Sequence, residues 1–85
     1  MSAELQSDIS PLAQLPPAAE AEIINLNIEG QQKRRLLDLG FVPGTKIKVA
    51  FPSPLGDPKA YQIRNTLLAL RDAEAVSIMV RRLDP

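Results

Sequence analysis

The spacing of apolar and polar residues changes along the chain, and each change predicts an element. From Glu22 to Ile28 the two kinds alternate, with Ile24, Leu26 and Ile28 on one face and Asn25 and Asn27 on the other, the pattern of a half-buried strand. Ile23 breaks that alternation. Beyond Gly30 the period becomes helical: Leu36, Leu37 and Leu39 share one side of a segment from about Gln31 to Leu39, while Gln32, Lys33 and Arg35 can face water. Gly40 suits the left-handed position that ends a helix, and Phe41 can fold back on Leu36 as the apolar partner of a Schellman motif. Pro43 forbids the helix to resume.

Alternation returns from Thr45 to Phe51, with Ile47, Val49 and Phe51 inward and Lys46, Lys48 and Ala50 outward. The stretch PSPLGDP, Pro52 to Pro58, is turn chemistry and reads as a stiff loop. Tyr61, Ile63 and Arg64 belong to a returning strand, and Asn65 is expected to take the bend, because Asn accepts positive φ. Thr66 to Arg71 then continues as a strand. Asp72 is expected to cap one helical turn through Ala75, with Glu74 near the positive end of its dipole. Val76 to Arg82 forms the last strand, with Ile78 and Val80 inward and Ser77, Met79 and Arg81 outward. Near the start, Ser10 and Pro11 suit the N-cap and first position of a short helical turn from Pro11 to Leu15, whose Leu12 and Leu15 would cover one end of the fold.

These elements imply a mainly β fold: a small barrel of about five strands with one short helix and one or two helical turns. A ferredoxin-like sandwich is the alternative, but it needs two comparable helices, and one is visible. Eighty-five residues support a single domain with one modest core. We expect a flexible tail over residues 1–9 and the domain over 10–85. Residues 1–16 have neither a basic start nor an apolar run, so they do not read as a signal peptide. With no cysteine, stability has to come from the packing of Leu, Ile and Val.

Charge is balanced overall but not locally. Glu4, Asp8, Glu20, Glu22 and Glu29 precede every Lys and Arg, and all ten basic residues follow, with Asp38, Asp57, Asp72, Glu74 and Asp84 among them. The first thirty residues therefore carry −5 and the remainder +5. This asymmetry either recruits an acidic partner or disappears when folding brings the halves together.

Candidate chemistry is sparse. The chain has no His and no Cys, so a catalytic base, nucleophile or metal site would have to come from scattered carboxylates, lysines and hydroxyls. That pattern argues against an enzyme, and it leaves Asp57 and Asp38 as the oxygen donors of any metal site, though both read better as turn and helix-end residues. Lys33, Arg34 and Arg35 form a basic run on the helix that either clamps an acidic group or is a solvated face. Phe41, Phe51 and Tyr61 are the only aromatics, two of them expected in the core. This removes the stacking surfaces that nucleic acids and proline-rich peptides require.

Three segments carry a family resemblance: RRLLDLGFVPGTKIKV at Arg34 to Val49, PLGDP at Pro54 to Pro58, and LLALRDAEAVSIMV at Leu67 to Val80. In this order they resemble the bacterial FeoA family, small cytoplasmic accessory proteins of ferrous iron uptake. The sequence departs from the family pattern at Ala18 and Asn65, where glycine is common. The resemblance implies an SH3-like barrel, a domain type that also closes some iron-dependent repressors. It implies a non-catalytic role and one partner, the membrane transporter FeoB with its cytoplasmic GTP-binding domain. It also implies a cytoplasmic setting. A family label of transition metal binding finds no support in a chain without His or Cys, and no cofactor is expected. The expected contact residues are Leu55, Gly56 and Asp57 in the stiff loop, with Arg35 and Arg64 as charged flanks. The alternative is a metal-sensing or self-associating SH3-like domain similar to the C-terminal domain of iron-dependent repressors, with a possible homodimer.

Overall fold

Six antiparallel strands form one sheet in the order β1-β6-β2-β3-β4-β5, in a computed structural model that describes residues 9–52 and 56–83. The strands are β1 (Ile9–Pro11), β2 (Glu20–Leu26), β3 (Lys46–Pro52), β4 (Lys59–Ile63), β5 (Thr66–Leu70) and β6 (Ile78–Arg82). Two helices interrupt them, α1 (Gln31–Leu39) between β2 and β3 and α2 (Asp72–Ala75) between β5 and β6. The sheet thus has one strand more than expected. The extra strand is β1, because Ile9 and Ser10 pair with Arg81 and Val80 of β6. Residues 1–8 of the expected tail lie outside the described residues. Pro11 ends β1 in extended conformation, so the helical turn is shorter than expected, a 3-10 turn over Leu12–Gln14 with no side-chain cap from Ser10.

The central strand corrects the expected phase. β2 pairs with both β6 and β3, and a bulge between Ile23 and Asn25 inserts an extra residue. Ala21 and Ile23 are buried before the bulge and Leu26 after it, while Ile24 is only partly covered. Ile23 is therefore a core residue, and the strand ends at Leu26. A bulge shifts the two-residue period by one, which pure alternation cannot anticipate. Ile28 packs at the margin of the core beyond the strand end.

Helix α1 has the expected bounds and the expected ending. Gly40 has φ 113°, its N–H donates to the Leu37 carbonyl at 3.0 Å, and the Phe41 N–H donates to the Leu36 carbonyl at 3.0 Å. These are the paired bonds of a Schellman ending, which satisfy carbonyls that a helix C-terminus otherwise leaves open. Leu36 and Phe41 are fully buried and Leu37 half-buried, but Leu39 is 40% exposed. A stripe centred between Leu36 and Leu37 leaves Leu39 roughly 110° away around the helix, outside the buried arc.

Two other expectations move by one residue. In the β4–β5 hairpin Ile63 pairs with Thr66, and the positive φ falls on Arg64 (55°) and not on Asn65. A two-residue loop with positive φ at its first central position matches the strand twist as a type II′ turn does. At α2, Arg71 and not Asp72 occupies the N-cap position. Asp57 reaches across from the β3–β4 loop, its Oδ1 accepting the Asp72 N–H at 2.9 Å, and Glu74 Oε1 accepts the Arg71 N–H at 3.3 Å. The side chain of Phe51, expected inward, lies outside the described residues.

The core joins Leu12, Ile23, Leu36, Phe41, Ile47, Val49, Tyr61, Leu70, Ile78 and Val80. Each large apolar side chain buried there contributes about 1.5–3 kcal/mol. The turn leading into β2 locks onto β3. The Ala19 N–H donates to the Pro16 carbonyl at 3.2 Å, and the Ala18 N–H and Ala19 carbonyl bond to Val49 at 2.8 and 2.9 Å. Ala18 sits there at φ 71°, a conformation that a Cβ opposes. Ala18→Gly is therefore expected to stabilise the domain by about 0.5–1 kcal/mol, the relief of strain exceeding the extra unfolded-state entropy. Urea unfolding should show a higher midpoint at an unchanged slope.

Candidate functional site

The expected contact residues separate into two regions, with α2 as the hub of one of them. Asp57 holds the first amide of α2, and Arg35 of α1 forms an ion pair with Glu74 of the same turn. One loop and two helices thus converge on four residues, Asp57, Asp72, Arg35 and Glu74. A cleft of about 110 Å3 lies beside the ion pair, lined by Ile28, Gln32, Leu36, Ala73 and Glu74. Gly56 has φ 84°, and the Asp57–Pro58 bond is cis. Leu55 lies outside the described residues.

Lys59 ties the same corner from below, a contact that the sequence did not single out. Its Nζ donates to the Ala13 carbonyl at 2.9 Å and lies 3.8 Å from the Asp72 carboxylate, with its side chain 20% exposed. The 3-10 turn, the β3–β4 loop and α2 are therefore linked through Lys59, Asp57 and Asp72. No periodicity signals such a contact, because the partners are 46 residues apart in the chain.

Tyr61 lies beneath this corner. It is completely buried, and its hydroxyl has no hydrogen-bond partner among the described residues. Burial, reinforced by the Asp72 and Asp57 carboxylates, pushes its pKa from 10.0 up to about 12. It remains a neutral phenol at physiological pH and contributes packing.

Arg64 belongs to a different surface. It stands at the other end of β4, on the hairpin turn, where it lines an open groove of about 370 Å3 with Glu20, Lys46, Lys48 and Gln62. The structure therefore brings Arg35 and Asp57 together through α2 and leaves Arg64 apart from both. Both groove lysines are exposed, as the alternation in Thr45 to Phe51 implies.

The chain offers no His or Cys donor to a metal. Among the described residues no three of His, Cys, Asp or Glu converge. The Asp57 carboxylate is engaged by the α2 amide and Glu74 by Arg35. No helix of the described residues is long and apolar enough to cross a membrane.

The FeoA domain family matches residues 10–82. The chain belongs to that family. A Porphyromonas gingivalis protein described as a Fe(2+) transport protein A/Fe(2+) transporter FeoB fusion is 35% identical over 69 residues, covering 81% of this chain and 8% of that protein. The chain therefore spans a small fraction of this relative. The solution structure of the FeoA protein from Chlorobium tepidum is 39% identical, with a TM-score of 0.81 over 87% of this chain and 70% of that one. The zinc complex of FeoA from Stenotrophomonas maltophilia, described as a procaryotic SH3 domain protein, is 31% identical with a TM-score of 0.73, covering 82% of this chain and 87% of that one. The mainly β, SH3-like fold is thus common to FeoA structures. A manganese-dependent transcriptional repressor shares the fold alone, with 14% identity and a TM-score of 0.79 over 88% of this chain and 42% of the repressor. The family is an accessory one, linked to ferrous iron transport.

The buried phenol has a measurable consequence. Above pH 10 the unfolded chain loses the Tyr61 proton while the folded chain keeps it, so stability is complete below pH 10 and falls as pH rises toward the folded value of about 12. The expected slope is about −1.4 kcal/mol per pH unit in that window. Tyr61→Phe should abolish this component at little cost, because the hydroxyl is unpartnered. The chain has one Tyr and no Trp, so absorbance at 295 nm reads its titration directly. A midpoint near 10 would contradict the burial.

Proposed function

We propose that the protein is a non-catalytic accessory domain that binds the cytoplasmic part of a FeoB-type ferrous iron transporter and modulates it. The observation that carries this reading is the fusion in Porphyromonas gingivalis, in which a homologous unit and the transporter share one polypeptide. Tethering holds two units at an effective concentration in the millimolar range. A separate chain has to supply the same proximity by its own affinity. A binding surface is therefore the feature to look for, and this chain's candidates are the corner around α2 and the Asp57 loop. Leu55, Gly56 and Asp57 form the proposed contact, with Arg35, paired with Glu74 of α2, and the more distant Arg64 as charged flanks.

The described residues of the corner support the non-catalytic part of this reading. The corner presents one buried neutral phenol, an engaged carboxylate and an ion pair, with no general base beside a nucleophile. The metal-sensing alternative would need oxygen ligands alone, and the carboxylates at hand already have partners.

Binding of the full chain to the soluble GTP-binding part of a FeoB-type transporter, measured by calorimetry, tests the proposal. Leu55→Ser and Asp57→Asn should each weaken binding by about five- to tenfold. Asn keeps an oxygen for the Asp72 amide, so Asp57→Asn separates contact from capping. Equal affinity of both variants and the parent would overturn the contact assignment. Absence of binding at about 100 μM, a weak-complex ceiling, would overturn the partner. A stoichiometric Fe(II) site or a dimer in light scattering would favour the alternative.

A further inference from the structure

The groove on the outer face of β2, β3 and β4 carries more basic than acidic side chains, although Glu20 and Glu22 of β2 lie opposite Lys48 and Lys46. Lys48 stands opposite Glu20 on one side and Gln62 on the other. Lys46 points to the same face two residues earlier. Arg64 follows Ile63, whose partner is Ile47, so it lies abreast of Lys46. Lys46, Lys48 and Arg64 are all exposed, and none forms an ion pair among the described residues. Glu20 is the one carboxylate lining the groove, and it too is unpaired there.

Two further features separate this face from an ordinary solvated one. Arg64 holds φ 55° in a position that suits Gly or Asn better. The position thus carries a charged side chain, without an ion pair among the described residues, on a backbone conformation that a side chain disfavours. Beside it, Leu67 of β5 pairs with Gln62 and is 57% exposed, which adds an apolar spot to the end of the basic row.

We propose that this groove binds a short acidic segment of a partner protein, with carboxylates on Lys46, Lys48 and Arg64 and an apolar side chain on Leu67. Charge complementarity selects the occupant, because Lys46, Lys48 and Arg64 outnumber the carboxylates opposite them, Glu20 and Glu22. Nucleic acid is disfavoured, since Phe41 and Tyr61 are buried and present no ring for stacking. The inference goes beyond the transporter contact proposed above. It concerns the opposite end of β4 from the Asp57 loop and defines the partner by chemistry, whichever protein carries the segment.

The test is an NMR titration of the 15N-labelled full chain with a synthetic Glu- and Asp-rich peptide containing a central Leu. Pyrophosphate and phosphatidylglycerol vesicles are titrated in parallel. The peptide should shift the amides of Lys46, Lys48, Gln62, Arg64 and Leu67, and its affinity should fall about tenfold as salt is raised through the range that screens exposed charges. The double variant Lys46→Gln/Lys48→Gln, which puts no like charges opposite Glu20 and Glu22, should lose at least about tenfold in affinity with its melting temperature retained. Arg64→Gly separates binding from structure: it should stabilise the turn while weakening the peptide several-fold. The proposal fails if the peptide shifts none of these amides, if the double variant binds like the parent, or if only pyrophosphate or vesicles engage the groove. A double variant that loses the peptide but still holds the transporter domain supports a separate surface and leaves the Asp57-loop contact standing.

Discussion

The bulged central strand is the constraint on which the rest of the structure depends. β2 is hydrogen-bonded on both sides, to β6 and to β3, and so joins the β1–β6 pair to the β3–β4–β5 strands around one core. Its bulge lets Ala21, Ile23 and Leu26 all face inward although they do not share one alternating phase. Without that shift, Leu26 would leave the core or Ile23 would. In a chain of 85 residues with no disulfide, the loss of one such side chain removes a large share of the net stability.

The same pairing answers the question raised by the charge asymmetry. Glu20 and Glu22 of the acidic first part lie opposite Lys48 and Lys46, and Glu22 also faces Arg81. Folding therefore sets two of the early carboxylates against basic residues of the later strands. Arg64, on the hairpin turn at the far end of β4, adds to Lys46 and Lys48 a cation that has no such carboxylate opposite it. Across the molecule, the four-residue helix α2 serves as a tie point, held by Asp57 and Glu74 at its start and by Arg35 through Glu74. The first of these contacts ties Asp57, at the end of the β3–β4 loop, to α2.

Membership of the FeoA family accords with this economy. The fold buries its only tyrosine and leaves no convergent set of acid, base and nucleophile among the described residues. Its resources go into presenting surface, with a corner at α2 and a basic groove on the opposite side of the hairpin. An accessory domain with several faces suits a protein whose homologue is joined to a transporter in one chain.

The bounds of α1, the Schellman ending at Gly40, the strands beginning near Lys46 and ending near Arg82, and the family itself were legible in the amino-acid sequence. Each rests on interactions within a few residues, such as the Phe41 amide meeting the Leu36 carbonyl, or on a simple period. Only the tertiary structure decided that Ile9 and Ser10 form a strand, that Ile23 is core, that Arg64 takes the positive φ, and that Asp57 caps α2. It also placed Arg35 with Asp57 and set Arg64 apart. Those outcomes depend on partners far away in the chain: β6 for Ile9, the registers of two neighbours for the bulge, strand twist for the hairpin, and an amide 15 residues on for Asp57. Local propensity contains no term for any of them, because each is set by where another element lies in space.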